Sequence, residues 1–174
     1  MNGKRHRLIC FLFLALGVLP SGRAFAAGIA IKGTEKFKST VTNALVLLET
    51  KAPASYQVVT NYIGVIEESG HSGMRANESP PIFGLNDTSA YYSLTWCAGD
   101  IAHDSFHSKL YHEYQVAHAG TVPDSVWIGH DAEIKCLKFQ ATTLKAIGAP
   151  ANEVVYCESI SSDYSDVPYS KRNW

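Results

Sequence analysis

The stretch His103-Asp104-Ser105-Phe106-His107 constrains this chain more than any other. Two histidines four apart on a helix project from one face, one turn above the other, because a turn takes about 3.6 residues. Imidazoles so placed close on a single metal ion with little chain entropy left to lose. A chain that uses them this way must carry residues 103–107 as helix and bring a third donor from elsewhere. Asp104, between them, is an acid within reach of a water on such a metal.

Residues 1–26 read as a secretory signal peptide that lies outside the fold. Lys4, Arg5 and Arg7 form a basic start, and Leu8 to Leu19 is an apolar run too short to cross a bilayer. Ala24-Phe25-Ala26 supplies an A-x-A cleavage site, with no lipid-anchor cysteine beside it, and Cys10 leaves with the leader. The expected mature chain, residues 27–174, is long enough for one domain with a single core. The whole chain has 15 basic and 16 acidic residues, a formal charge of −1; the leader removes Lys4, Arg5, Arg7, Arg23 and no acid, leaving −5. Such an acidic balance lacks the basic face that meets nucleic-acid phosphates. With no second long apolar stretch, the product is expected to be secreted or periplasmic, without stable membrane insertion.

Cys97, Cys136 and Cys157 remain after processing. In an oxidising compartment an odd count predicts one disulfide and one free thiol. The sequence does not choose among the three pairings; Cys97–Cys157 is preferred, because Cys136 sits in mid-helix where a buried thiol often acts as a small hydrophobe. None of the three has the setting of a catalytic nucleophile.

Apolar spacing predicts an amphipathic helix over 34–51, through Phe37, Val41, Ala44, Leu45 and Leu48, capped by Thr34 and stopped by Pro53. A second helix is expected from a Ser55 cap to about Glu68, with Val58, Val59, Tyr62, Ile63 and Ile66 as its stripe. Between Met74 and Ser93 the prolines, turn residues and aromatics suggest two short strands, Ile82–Leu85 and Ala90–Ser93. Leu94 to Gln115 reads as the histidine helix, His118 to Gly129 as a loop. Asp131 to Ile147 reads as a last long helix with Ile134, Leu137, Ala141, Leu144 and Ile147 inside. A short helix near Asn152–Ile160 precedes a loose Ser/Asp/Tyr-rich tail. The expected class is α+β: one mostly helical domain, with a small sheet or hairpin before the metal-binding helix.

Catalytic zinc usually takes three protein ligands and a water. The third candidate here is Glu133, 26 residues after His107 and near the start of the last helix. It shares a face with Leu137, Ala141 and Leu144, so its carboxylate points inward, where a charge needs a partner. A capping or salt-bridged glutamate remains the alternative. His112, His118, His130 and Asp131 fit second-shell or solvated roles better than ligation.

His103, Asp104 and His107 together with Glu133 resemble the zinc site of the gluzincin branch of the zincin metallopeptidases. There H-E-x-x-H on one helix is joined by a glutamate from a later helix, and this chain has aspartate at the acid position. The resemblance covers roughly residues 74–147. It implies a minimal zincin-like fold, an edge strand before the metal helix, Zn2+ as cofactor, and a peptide or protein substrate. In that reading Asp104 is the general base, and Tyr111, one turn past His107, stabilises an oxyanion or holds a second-shell hydrogen bond. Two other readings stay open. One is a weak or inactive zincin serving as a binding or inhibitory module of the cell envelope; the other is a helical interaction domain with structural histidines.

Overall fold

One helix organises the molecule. In the computed structural model, which describes residues 28–160, helix α4 (Leu94–Ala117) packs against five other helices and touches two strands of the sheet. Its entry is fixed by Ser93, whose hydroxyl accepts the Trp96 N–H at 2.8 Å. The helix is therefore continuous from Leu94.

Strand β1 (Ala30–Lys32) leads into α1 (Glu35–Lys51) through Thr34, which caps the helix by accepting from the Phe37 N–H at 3.3 Å. Phe37, Val41, Ala44 and Leu48 bury the predicted stripe. Helix α2 (Pro53–Tyr62) starts on Pro53, a residue whose missing N–H costs nothing in a first turn. Ser55 is therefore inside the helix and not its cap; its hydroxyl bonds Thr143 at 2.8 Å.

The expected second helix ends early. After Tyr62 the backbone turns extended, and Val65–Glu68 forms strand β2. The β-branched Ile63, Val65 and Ile66 suit a pleated surface, and their apolar spacing does not distinguish helix from strand over so short a run. Strands β3 (Gly73–Arg75) and β4 (Ile82–Leu85) complete a four-stranded sheet in the order β1-β2-β4-β3. β1, β2 and β4 run parallel, and β3 pairs antiparallel at the edge, with Met74 opposite Phe83. The sheet is thus larger and more parallel than the expected hairpin, because α1 and α2 form a crossover between β1 and β2.

Ala90–Ser93 is not a strand. Asn86 accepts from the Ser89 N–H at 2.8 Å and caps helix α3 (Asp87–Tyr92). The loop after α4 contains one helical turn, α5 (Asp124–Trp127), before α6 (His130–Ile147). Gly148, at φ 74°, ends α6 in the left-handed conformation that suits glycine. Helix α7 (Ala151–Ser159) closes the described chain. Ile134, expected inside, is 48 % exposed, and α6 instead turns Glu133, Cys136, Leu137 and Gln140 inward.

The class is α+β, mostly helical with a small four-stranded sheet. The expected leader (1–26) and the loose tail after Ile160 lie outside the described residues. Among the described residues no helix is long and apolar enough to cross a membrane. Cys97, Cys136 and Cys157 are all buried and unbridged, which corrects the expected disulfide. Each thiol is enclosed by helix packing: Cys97 and Cys157 sit in the apolar core, and Cys157 donates to the Leu137 carbonyl.

Candidate metal centre

Helices α4 and α6 meet closely where Gly99 faces Leu144. A Cβ at residue 99 would stand 2.8 Å from Leu144 Cδ2, so the absence of a side chain sets this approach. The crossing brings the buried faces of the two helices together, one carrying His103 and His107, the other Glu133, Cys136 and Gln140.

The two imidazole Nε2 atoms are 3.0 Å apart. Glu133 Oε2 lies 3.2 Å from the first and 3.6 Å from the second. Donors held about 2.0–2.1 Å from a tetrahedral zinc stand roughly 3.3 Å from one another, so this triangle has the size of one coordination face. Cys136 Sγ and one ring nitrogen of each histidine form a second three-donor group, all within 4.8 Å of one another. The two sets share the histidine pair.

The far sides of both rings are committed. His107 Nδ1 is 2.5 Å from the Trp127 carbonyl oxygen, which only accepts, so that nitrogen carries a proton. His103 Nδ1 is 3.0 Å from Gln140 Oε1. Gln140 is oriented in turn by donating its Nε2–H to Asp100 at 2.9 Å, which leaves its carbonyl end for His103. Both imidazoles therefore have an acceptor on the outer side, so that each, when its Nε2 gives up its proton, can offer that lone pair on the side facing Glu133. This is the arrangement in which outer partners fix the tautomer of metal-binding histidines.

Two lone pairs and a carboxylate oxygen facing one another repel unless a cation sits among them. Without a metal, the cation is a proton. Burial opposes charge on His107, but Cys136 and Glu133 outweigh it and hold its pKa well above 6.5. Burial likewise opposes ionised Glu133, and hydrogen bonds from His103 and His107 overcome that and hold its carboxyl well below the usual range. Asp104, next to His103, is pushed up to about 6 by desolvation, with His103 and His107 pulling the other way.

Tyr111 sits one turn past His107 with its ring edge-on to Trp127, centroids 5.3 Å apart, and so packs on the residue whose carbonyl holds His107. His112 stacks on Tyr62, His118 stacks on Tyr114, and His130 and Asp131 are exposed at the start of α6. None of the four belongs to the donor groups found among the described residues. Sequence reasoning passed over Cys136 as a donor and gave no role to Gln140, Asp100 or Trp127. For the first two a signal existed, since residues 133, 136 and 140 fall on one helical face. Comparison of the chain with protein-family models, with curated proteins and with solved structures found no match.

Proposed function

We propose that this chain is an exported zinc-dependent hydrolase of the metallopeptidase type, binding its metal through His103, His107 and Glu133. One observation carries the metal reading: three atoms able to ligate converge at 3.0–3.6 Å while both outer imidazole nitrogens are tied to acceptors. Nitrogen and carboxylate donors in this number suit zinc. A metal held there supplies polarisation of a substrate carbonyl and a bound water whose pKa falls toward about 7.

Asp104 would serve as the general base beside such a metal; a carboxyl with a pKa of about 6 is ionised at neutral pH yet basic enough to accept a proton. Aspartate is one methylene shorter than glutamate, so its carboxylate works at longer reach. Tyr111 contributes a hydroxyl near the substrate oxygen or, through Trp127, steadies His107. The segment up to Tyr92, expected as the edge strand, is helix α3; strand β3, antiparallel at the sheet edge and packed against α4, is the element that would take its place in a zincin-like comparison. A peptide or protein substrate and a secreted or periplasmic location belong to the same reading.

A second reading, a metal that only ties α4 to α6, is favoured by burial. Side-chain exposure is 13 % at His103 and 6 % at His107 and Glu133. Metal analysis of the purified, untagged protein followed by peptide hydrolysis in its zinc-loaded form separates the cases. Stoichiometric zinc with hydrolysis supports the enzyme, and zinc without hydrolysis in both the parent and Cys136→Ala supports the structural centre. A protein that takes up no zinc ends both.

A further inference from the structure

We infer that Cys136 is a fourth donor to the same metal, closing its coordination sphere in the resting protein. The inference rests on the metal reading above and extends it to the state of the site.

The three buried cysteines are not alike. Cys97 and Cys157 belong to the apolar core cluster, where a thiol serves as a small hydrophobe. Cys136 is equally inaccessible but lies outside that cluster, on the polar seam between α4 and α6. It stands three residues after Glu133, on the same buried face of α6. Its sulfur lies within 4.8 Å of both histidine donor atoms.

Sulfur and nitrogen ligands of a tetrahedral zinc, at about 2.3 and 2.0–2.1 Å, stand roughly 3.5 Å apart. The sulfur therefore needs to move by little more than an ångström, within the reach of a χ1 adjustment. Helix α4 then contributes two nitrogens and α6 one oxygen and one sulfur. Four protein ligands mark closed sites, whereas catalytic zinc keeps a position open for water. Binding the thiolate releases the thiol proton to solvent and involves no change of oxidation state. Cys136 thus occupies the place a reacting water needs, and the enzyme is latent until the sulfur withdraws. The shallow exposure of the donors fits such a closed state.

Cobalt(II) titration of the purified full chain tests this, because a thiolate ligand adds a near-ultraviolet sulfur-to-cobalt charge-transfer band that nitrogen and oxygen donors lack. The parent should bind one equivalent of cobalt and show the band. Cys136→Ser and Cys136→Ala should lose it while still binding cobalt through His103, His107 and Glu133, and their zinc forms should hydrolyse peptides faster than the parent. Cobalt bound by the parent without the band overturns the role of Cys136 and leaves the metal reading standing. A band that survives in a folded Cys136 variant assigns the sulfur elsewhere and overturns it equally. If the parent binds no cobalt, the metal reading itself falls, and this inference with it. Thermal melts of both variants verify that they are folded.

Discussion

The Nε2 atoms of His103 and His107 face each other at 3.0 Å, and Glu133 closes the third side of the triangle. Truncating either ring removes one of the two nitrogen donors and leaves a single imidazole beside Glu133 and Cys136. His103→Ala and His107→Ala should each strongly weaken zinc binding, lowering the zinc retained per chain by elemental analysis. In the metal-free protein burial is outweighed by Cys136 and Glu133, which raise the His107 pKa well above 6.5. That contribution to stability is fully present below 6.5 and is lost as pH rises through the folded-state value. A metal takes the place of the His107 proton and of the Cys136 thiol proton, so zinc binding at pH 7 should release at least about one proton per chain. Calorimetry in buffers of different ionisation enthalpy reads that number directly, and zero release would contradict the assigned protonation.

Asp104 presents the opposite linkage to an ordinary surface carboxylate. Its pKa rises from 3.8 to about 6 because burial disfavours the charge. The group favours the folded state below 3.8, and that contribution is lost as pH rises through 6. Asp104→Asn should therefore raise the melting temperature of the metal-free protein at pH 8, by roughly 2–4 °C for each kcal/mol regained. The variant should keep its zinc and lose hydrolysis, since an amide cannot take the proton. For the parent, kcat/KM should fall as pH drops below about 6. Asp104→Glu should preserve or raise activity. Hydrolysis by Asp104→Asn at the parent rate would remove Asp104 from the base position.

Gln140 links His103 to Asp100 by two hydrogen bonds of 3.0 and 2.9 Å. Gln140→Leu keeps the volume and removes both. Zinc affinity should weaken about 10–100-fold, the usual cost of losing an outer partner of a metal-bound imidazole. Competition with a chromophoric chelator measures it, and an unchanged affinity would show that His103 needs no such support.

Gly99→Ala tests how closely α4 and α6 must approach. The added methyl meets Leu144, which is fully buried and has little room to yield. Overpacking costs about 1–3 kcal/mol, against about 1 kcal/mol that alanine gains over glycine in a helix. A net loss of stability in urea unfolding, accompanied by weaker zinc binding, is expected. Stabilisation by this substitution would mean that the crossing has slack.

Cys97, Cys136 and Cys157 are unbridged, so titration under denaturing, non-reducing conditions should find all three as free thiols in the chain from Ala27 onward. In the folded, metal-free protein they should react slowly, because burial pushes Cys97 and Cys157 up to about 12 and leaves little thiolate. A count of one would restore the disulfide.

The helical parts of the fold are readable because their signals are local. Thr34 and Gly148 mark ends, and Phe37 through Leu48 repeat at a period that only a helix satisfies. The histidine pair and the inward Glu133 are legible for the same reason. The sheet is not, because β1 has three residues and β2 four, too short to show a period. Their pairing is held by the crossover of α1 and α2, which no nearby residue announces. Asn86, one of the turn residues between Met74 and Ser93, is a helix cap, since the same side-chain acceptor serves turns and caps alike. The outer partners of the site escaped notice because Gln140, Asp100 and the Trp127 carbonyl acquire meaning only when α4, α5 and α6 meet.

The bond from His107 to the Trp127 carbonyl places a fluorophore on the scaffold of the site. Trp96, near the start of α4, lies in a separate cluster with Tyr92 and Tyr156. Any shift of the His107 ring must pull on the backbone of residue 127 and alter how its indole meets Tyr111. The protein therefore carries an optical gauge of its own. Filling or emptying of the centre can be followed in tryptophan emission, without a label, on the timescale at which the event itself occurs.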